Sequence, residues 1–305
     1  MRKIAFIYPG QGAQAIGMGK SFYDNSELAK ELFELADESL DVKVSELCFN
    51  ENEMLNQTQY TQPALVTTCL SITREILSRG IKPDVTAGLS LGEYAAIAVA
   101  GGMTEVDAIK AVRARGTYME NACPAGLGAM CAVLGLMGDE IEAAIADIDG
   151  VYIANYNCPG QIVITGEKNA IELAMDKLKE AGAKRCIPLN VSGPFHSPLL
   201  NKAGEDLYTY LEQIEMKELE IPYITNVTAD YVSDKKDIKG LLVKQVTSSV
   251  RFEQSINRMI EDGVDTFVEI GPGKTLAGFI RKINKDVRVI NISDIEDLEK
   301  LDDIA

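Results

Sequence analysis

Val85-Thr86-Ala87-Gly88-Leu89-Ser90-Leu91-Gly92-Glu93-Tyr94 is the stretch on which the reading of this chain turns. A short apolar run, expected as a buried strand, stops at a Gly-x-Ser-x-Gly, and an Ala-rich run from Ala95 to Ala100 then reads as a helix. Strand, sharp turn and helix together are the context in which this five-residue pattern is a nucleophile elbow rather than a glycine-flanked turn with an incidental serine. Gly88 and Gly92 leave space for a Ser90 backbone held in a strained conformation with its hydroxyl thrust out. The following helix aims its positive end at the same place, which makes the Leu91 N–H a natural donor to an oxyanion forming on an acyl group at Ser90.

A serine hydroxyl is almost fully protonated at neutral pH, so a nucleophilic serine usually needs an imidazole base. The chain has one histidine, His196. If Ser90 is activated in this way within the chain, the base is His196. It stands in the loop-like segment Asn190-Val191-Ser192-Gly193-Pro194-Phe195-His196-Ser197-Pro198, where Gly and Pro restrict the backbone just before it. No Asp or Glu near His196 stands out as a third member.

The rest of the chain alternates strands and helices, which implies an α/β fold with a mostly parallel sheet. Ile4 to Tyr8 reads as a strand entering Pro9-Gly10-Gln11-Gly12, without the Gly-x-Gly-x-x-Gly of a dinucleotide site. Ser26 to Leu40 is expected as an amphipathic helix with Leu28, Leu32 and Leu35 on its buried side, Asn56 to Tyr60 as a loop, and Pro63 to Leu77 as a buried helix. Thr104 reads as the N-cap of a helix carrying Arg113 and Arg115; a helix arginine is ordinarily solvated, and Arg113 is read so. Between about Gly126 and Val191 the order is β-α-β-β-α-β, a ferredoxin-like unit. The expected organisation is a large α/β hydrolase-like domain, residues 1–125 and 192–305, with a small ferredoxin-like subdomain, residues 126–191, inserted between Ser90 and His196. The acidic end, Asp294 to Asp303, is expected as a solvated helix or tail.

With 305 residues, 46% of them apolar and 25% charged, the chain is expected to be a globular protein. A net charge of −16 argues against general attraction to nucleic acid or anionic membranes. No apolar run is long enough for a bilayer span, and the opening run is too short for a signal peptide, so a cytoplasmic location is expected. Six scattered cysteines without a Cys-x-x-Cys, and a single histidine, suggest reduced packing thiols and no metal site.

Five segments, in order, resemble the malonyl-CoA:acyl carrier protein transacylases of bacterial fatty-acid synthesis. They are Pro9-Gly10-Gln11-Gly12-Ala13-Gln14, Gly88-Leu89-Ser90-Leu91-Gly92-Glu93-Tyr94, Asn157-Cys158-Pro159-Gly160-Gln161, Gly193-Pro194-Phe195-His196-Ser197 and Gly271-Pro272-Gly273-Lys274. The family often has histidine just before the nucleophile, where this chain has Leu89. The resemblance implies a Ser90–His196 dyad and a second oxyanion donor in the Gln11 N–H. It also implies malonyl-carboxylate recognition by Arg115, and a bulky Phe195 leaving little room for a 2-methyl branch. In Ser249-Val250-Arg251 it implies a backbone carbonyl, assigned to Arg251, that orients the imidazole. Malonyl-CoA and the phosphopantetheine arm of acyl carrier protein would be the partners, with no cofactor consumed and the protein a monomer. The elbow by itself leaves two other readings open: a serine hydrolase, since water can attack the same acyl-serine, and a non-catalytic acyl-CoA or carrier-binding module.

Overall fold

The computed structural model describes residues 2–124, 126–191, 193–232 and 234–304. The expected boundaries of the inserted unit fall on residues 125 and 192, which lie outside the described residues. In chain order the strands are β1 (Ile4–Tyr8), β2 (Val85–Gly88), β3 (Gly128–Leu134), β4 (Val151–Cys158), β5 (Gln161–Glu167), β6 (Arg185–Pro188), β7 (Tyr223–Ile224), β8 (Thr266–Ile270) and β9 (Arg288–Ile292). They form two sheets.

The larger sheet has the order β7-β2-β1-β8-β9, and every pairing in it is parallel. Helices cover both faces, so its strands are continuous apolar runs: Ile4-Ala5-Phe6-Ile7-Tyr8 is buried throughout. β1 and β2 lie side by side, with Tyr8 opposite Gly88. The Pro9–Gly12 turn and the elbow therefore leave the same carboxyl edge of the sheet together. The smaller sheet, β4-β5-β3-β6, is antiparallel, and the helices Gly138–Ile145 and Lys168–Glu180 complete a βαββαβ unit. Its residues alternate in the two-residue period of a strand. Met130, Ala132 and Val163 turn towards the large core, while Cys131, Val133 and Ile164 pack with Ile141 and Ile171 of its own helices. The units are stitched at Val250, whose N–H donates to the Ala154 carbonyl (2.8 Å) and whose carbonyl accepts from the Tyr156 N–H (2.9 Å).

Four local expectations change. Ser26 does cap a helix, Glu27–Ser39, but its buried face is Ala29, Leu32, Phe33 and Ala36; Leu28 is 40% exposed and Leu35 half-buried. Phe33 carries more apolar surface than either leucine, and it rotates the stripe. The long buried helix starts at Thr58, so Pro63 lies inside it. Proline has no N–H for the carbonyl four residues earlier. That carbonyl, on Gln59, accepts instead from Arg113 Nη1 at 3.2 Å, so Arg113 is a half-buried structural arginine rather than a solvated one. The acidic end is also docked, with Leu298 and Leu301 buried in the core.

Candidate active site

At the elbow the two glycines are required by contact. A Cβ on Gly88 would stand 2.0 Å from the Gly92 carbonyl carbon, and one on Gly92 would stand 2.3 Å from the Tyr8 carbonyl oxygen. The chain therefore turns tightly enough to bring the helix Gly92–Val99 back onto β1, with Ser90 at the apex in the left-handed region (φ 54°). Such a conformation costs a non-glycine residue about 1–2 kcal/mol and persists only where surrounding bonds fix it. Here the Ser90 N–H donates to Asn226 Oδ1 (2.7 Å), and the Ser90 carbonyl accepts from Gln245 Nε2 (2.9 Å). His196 is the second strained residue, with φ 60°.

Ser90 Oγ lies 2.8 Å from His196 Nε2. The other ring nitrogen, Nδ1, is 2.8 Å from the main-chain carbonyl of Gln245. A carbonyl only accepts, so Nδ1 carries the proton and Nε2 presents its lone pair to the serine hydroxyl. Burial, reinforced by the nearby Arg115 charge, lowers the imidazole pKa to about 4, so the ring is neutral at physiological pH.

The carbonyl that orients the ring was expected from Arg251, and the structure places it on Gln245. Arg251 begins the next helix, Phe252–Glu261, and its carbonyl is taken by the Ser255 N–H (2.9 Å) and hydroxyl (2.8 Å). The helix Lys235–Thr247 ends two residues later, so the Gln245 carbonyl receives only a long bond from the Ser248 N–H (3.5 Å) and is free to accept from the imidazole as well.

Arg115 is buried, and its guanidinium reaches Ser90. Nη2 donates to Ser90 Oγ (3.1 Å) and to Gln245 Oε1 (2.9 Å), and Nη1 donates to Gln62 Oε1 (2.9 Å). Its Nε has no hydrogen-bond partner, and among the described residues no carboxylate forms an ion pair with it. Burial lowers its pKa, against the favourable fields of Tyr94 and Glu93. A buried cation whose partners are the neutral amide oxygens of Gln62 and Gln245 and the Ser90 hydroxyl is a place where an anionic ligand would be stabilised.

These groups line one cleft of about 290 Å³, with Gln11, Leu91 and Phe195 also on its wall and the small sheet opposite through Met130, Ala132 and Val163. The Gln11 side chain is anchored to Thr58 Oγ1 (3.1 Å). Leu91 is the N-cap of the helix Gly92–Val99, so its N–H points out of the helix end beside Ser90. The cleft thus holds a serine hydroxyl bonded to a neutral imidazole, a buried cation and a helix N-terminus: parts suited to forming an acyl ester at Ser90. Sequence reasoning missed Gln62, Asn226 and Gln245, and took Glu93 only as a letter of the motif. A carboxylate inside the otherwise apolar Gly92–Val99 run was the one available signal of a buried polar network.

Residues 5–299 match the family model described as Acyl transferase domain. The chain is 48% identical, over 304 residues covering 98% of it and 96% of the relative, to the malonyl CoA-acyl carrier protein transacylase of Bacillus subtilis (strain 168). Among solved structures, that of the malonyl CoA-acyl carrier protein transacylase from Clostridium perfringens superposes with a TM-score of 0.95 at 45% identity, covering 98% of this chain and 95% of that one. A malonyl-transacylase solved in complex with a type II PKS acyl-carrier protein gives 0.96 at 35% identity, covering 99% and 100%. With an elbow, a fold and a full-length match that agree, this chain belongs to the acyl transferase domain family, among the malonyl CoA-acyl carrier protein transacylases.

Proposed function

We propose that this chain moves a malonyl group from malonyl-CoA to the phosphopantetheine thiol of an acyl carrier protein by way of a malonyl ester on Ser90. The observation that carries the proposal is the Arg115 guanidinium, buried with no carboxylate partner among the described residues and 3.1 Å from Ser90 Oγ. A cation so placed favours an acyl group that ends in a carboxylate over a neutral one. The relatives named for malonyl transfer, and the one solved with its carrier protein, support the same substrate pair.

In the first half-reaction His196 Nε2 takes the Ser90 proton as Oγ attacks the thioester carbonyl. Collapse of the tetrahedral intermediate leaves malonyl on Oγ, and the imidazolium gives its proton to the departing CoA sulfur. In the second half-reaction the carrier thiol gives its proton to the neutral imidazole and attacks the ester, and the proton returns to Ser90 Oγ. The N–H groups of Gln11 and Leu91 serve as donors to the oxyanion in both halves. An imidazole that is neutral at rest starts each half-reaction in the form that accepts a proton.

The test is incubation with malonyl-CoA followed by mass spectrometry of the intact protein. The expected result is one malonyl adduct on Ser90, discharged by carrier thiol and absent from Ser90→Ala. Adduct on the alanine variant, or free malonate formed at the same rate without carrier, would exclude the proposal.

A further inference from the structure

Glu93 is buried and is the one charged residue of the helix Gly92–Val99. Its Oε2 accepts two hydrogen bonds, from the Asn226 N–H (3.0 Å) and from Gln245 Nε2 (2.7 Å). What those partners do next is informative. A carboxylate only accepts, so Gln245 must present its NH₂ to Glu93. The Gln245 carbonyl oxygen, Oε1, is thereby turned the other way, onto Arg115 Nη2. The second hydrogen of the NH₂ reaches the Ser90 carbonyl, and the main-chain carbonyl of the same residue orients His196. On the other branch Asn226 clamps the elbow, accepting from the Ser90 N–H and donating from Nδ2 to the Gly88 carbonyl (2.6 Å).

The structure assigns Glu93 as a positioning residue that fixes Ser90 and Arg115 through its hydrogen bonds to Asn226 and Gln245. This inference rests on the reading of Ser90, His196 and Arg115 as the reacting set. Glu93 itself touches no reacting atom. Its role is to remove a choice: without an acceptor at this place the Gln245 amide can rotate and offer Arg115 a donor instead of an acceptor. The guanidinium would then lose one of its two buried amide oxygens and the carbonyl of the strained serine its amide donor.

Because Oε2 carries both bonds, and the Thr225 hydroxyl beside the carboxyl group can accept as well as donate, an amide can reproduce the arrangement. Glu93→Gln is expected to keep malonyl acylation of Ser90 within about threefold of wild type. Glu93→Leu has similar shape and no acceptor, and is expected to slow malonyl acylation roughly ten- to a hundredfold, mostly in kcat. Acetyl acylation should suffer less, so the malonyl-to-acetyl ratio falls by roughly tenfold. Hydrogen exchange of the Ser90 amide should accelerate by about tenfold or more in Glu93→Leu and not in Glu93→Gln.

A folded Glu93→Leu protein with wild-type ratio and Ser90 exchange overturns the proposal. So do parallel losses for both acyl groups that Glu93→Gln fails to relieve, since that pattern marks a structural residue. If Glu93→Leu does not fold, Gln245→Met carries the test: it leaves the main-chain carbonyl on His196 and removes the side-chain arm. It must lower the malonyl-to-acetyl ratio, and an unchanged ratio overturns the proposal. Failure of wild type to acylate at Ser90 would instead refute the functional reading, and Ser90 amide exchange would still decide the placement of Glu93.

Discussion

The two walls of the cleft are built on opposite plans. The wall at the carboxyl edge of the parallel sheet carries Ser90, His196 and Arg115, each tied by hydrogen bonds that cross long distances in sequence; Ser90 and Gln245 are 155 positions apart. The wall from the antiparallel sheet presents the apolar side chains Met130, Ala132 and Val163 together with the polar Asn155, Asn157 and Gln161, none of them tied to Ser90 or His196. One wall is specified by bonds and the other by volume. Substitutions in the first should therefore act on rate and recognition steeply, and substitutions in the second should act gently, on fit.

The steepest break is His196→Ala. No second histidine exists to take over, and a positioned base contributes about a hundred- to ten-thousandfold. Acyl transfer measured under saturating malonyl-CoA should fall by that range. A loss below tenfold would show that the hydroxyl is activated by another group, with the Arg115 guanidinium the neighbour to examine next.

The same residue also links this wall to stability. Its folded pKa of about 4 lies below the ordinary 6.5, so the unfolded chain takes up the proton first as pH falls. Stability is therefore full above about pH 6.5 and is lost as pH drops towards 4, by about 3 kcal/mol in all. Glu269 works with the opposite sign: burial raises its carboxyl to about 7, so the folded chain gains protons first and stability from it increases as pH falls from 7 towards 4.5. A plain pH profile mixes the two. Comparing wild type with His196→Asn isolates the histidine, since asparagine tolerates the positive φ and Glu269 is common to both. Urea unfolding should show the difference between the two proteins shifting by about 3 kcal/mol between pH 7 and pH 4. A constant difference would mean that the imidazole is solvated.

Arg115→Ala comes next in size. A hydrogen bond to a charged group contributes about 1.5–3 kcal/mol, which corresponds to roughly ten- to a hundredfold in malonyl transfer. Acetyl transfer should fall less, because it never uses the guanidinium as a carboxylate partner. Equal losses for the two acyl groups would make Arg115 a purely structural member of the first wall.

The contrast between the walls also explains what could be read from the sequence. The pairing of Ser90 with His196 was legible because each announces itself locally: a glycine-flanked turn between strand and helix, and a lone imidazole in a Gly-Pro loop. The βαββαβ order was legible from strand and helix periods. Gln245 was not, because a glutamine in a Lys-rich helix gives no local sign of the arginine 130 positions away that it holds. The orienting carbonyl was placed on Arg251 for the same reason, as backbone atoms carry no residue-specific signal. The buried face of the Glu27–Ser39 helix was misphased because leucine spacing alone does not weigh Phe33.

The gentlest prediction tests the second wall with two neighbours on β5. Val163 faces the cleft and Ile164 faces the helices of its own small unit. Adjacent residues on a strand point to opposite sides, so the same sheet separates fit from stability. Val163→Ala removes two methyl groups from the side of the acyl site and opens space there. A pocket discriminates a methylene by about 1–3 kcal/mol at most, and this wall is one of several. The expected result is a two- to tenfold rise in the ratio of methylmalonyl to malonyl transfer, with the malonyl rate itself within about threefold of wild type. Ile164→Val removes one methyl from a fully buried position and should cost about 0.5–1.5 kcal/mol in urea unfolding while leaving the acyl ratio unchanged. If Ile164→Val alters the ratio as much as Val163→Ala does, the small sheet acts on the cleft by shifting as a body. If neither does, selectivity against a branch is set on the first wall, where Phe195 stands beside His196.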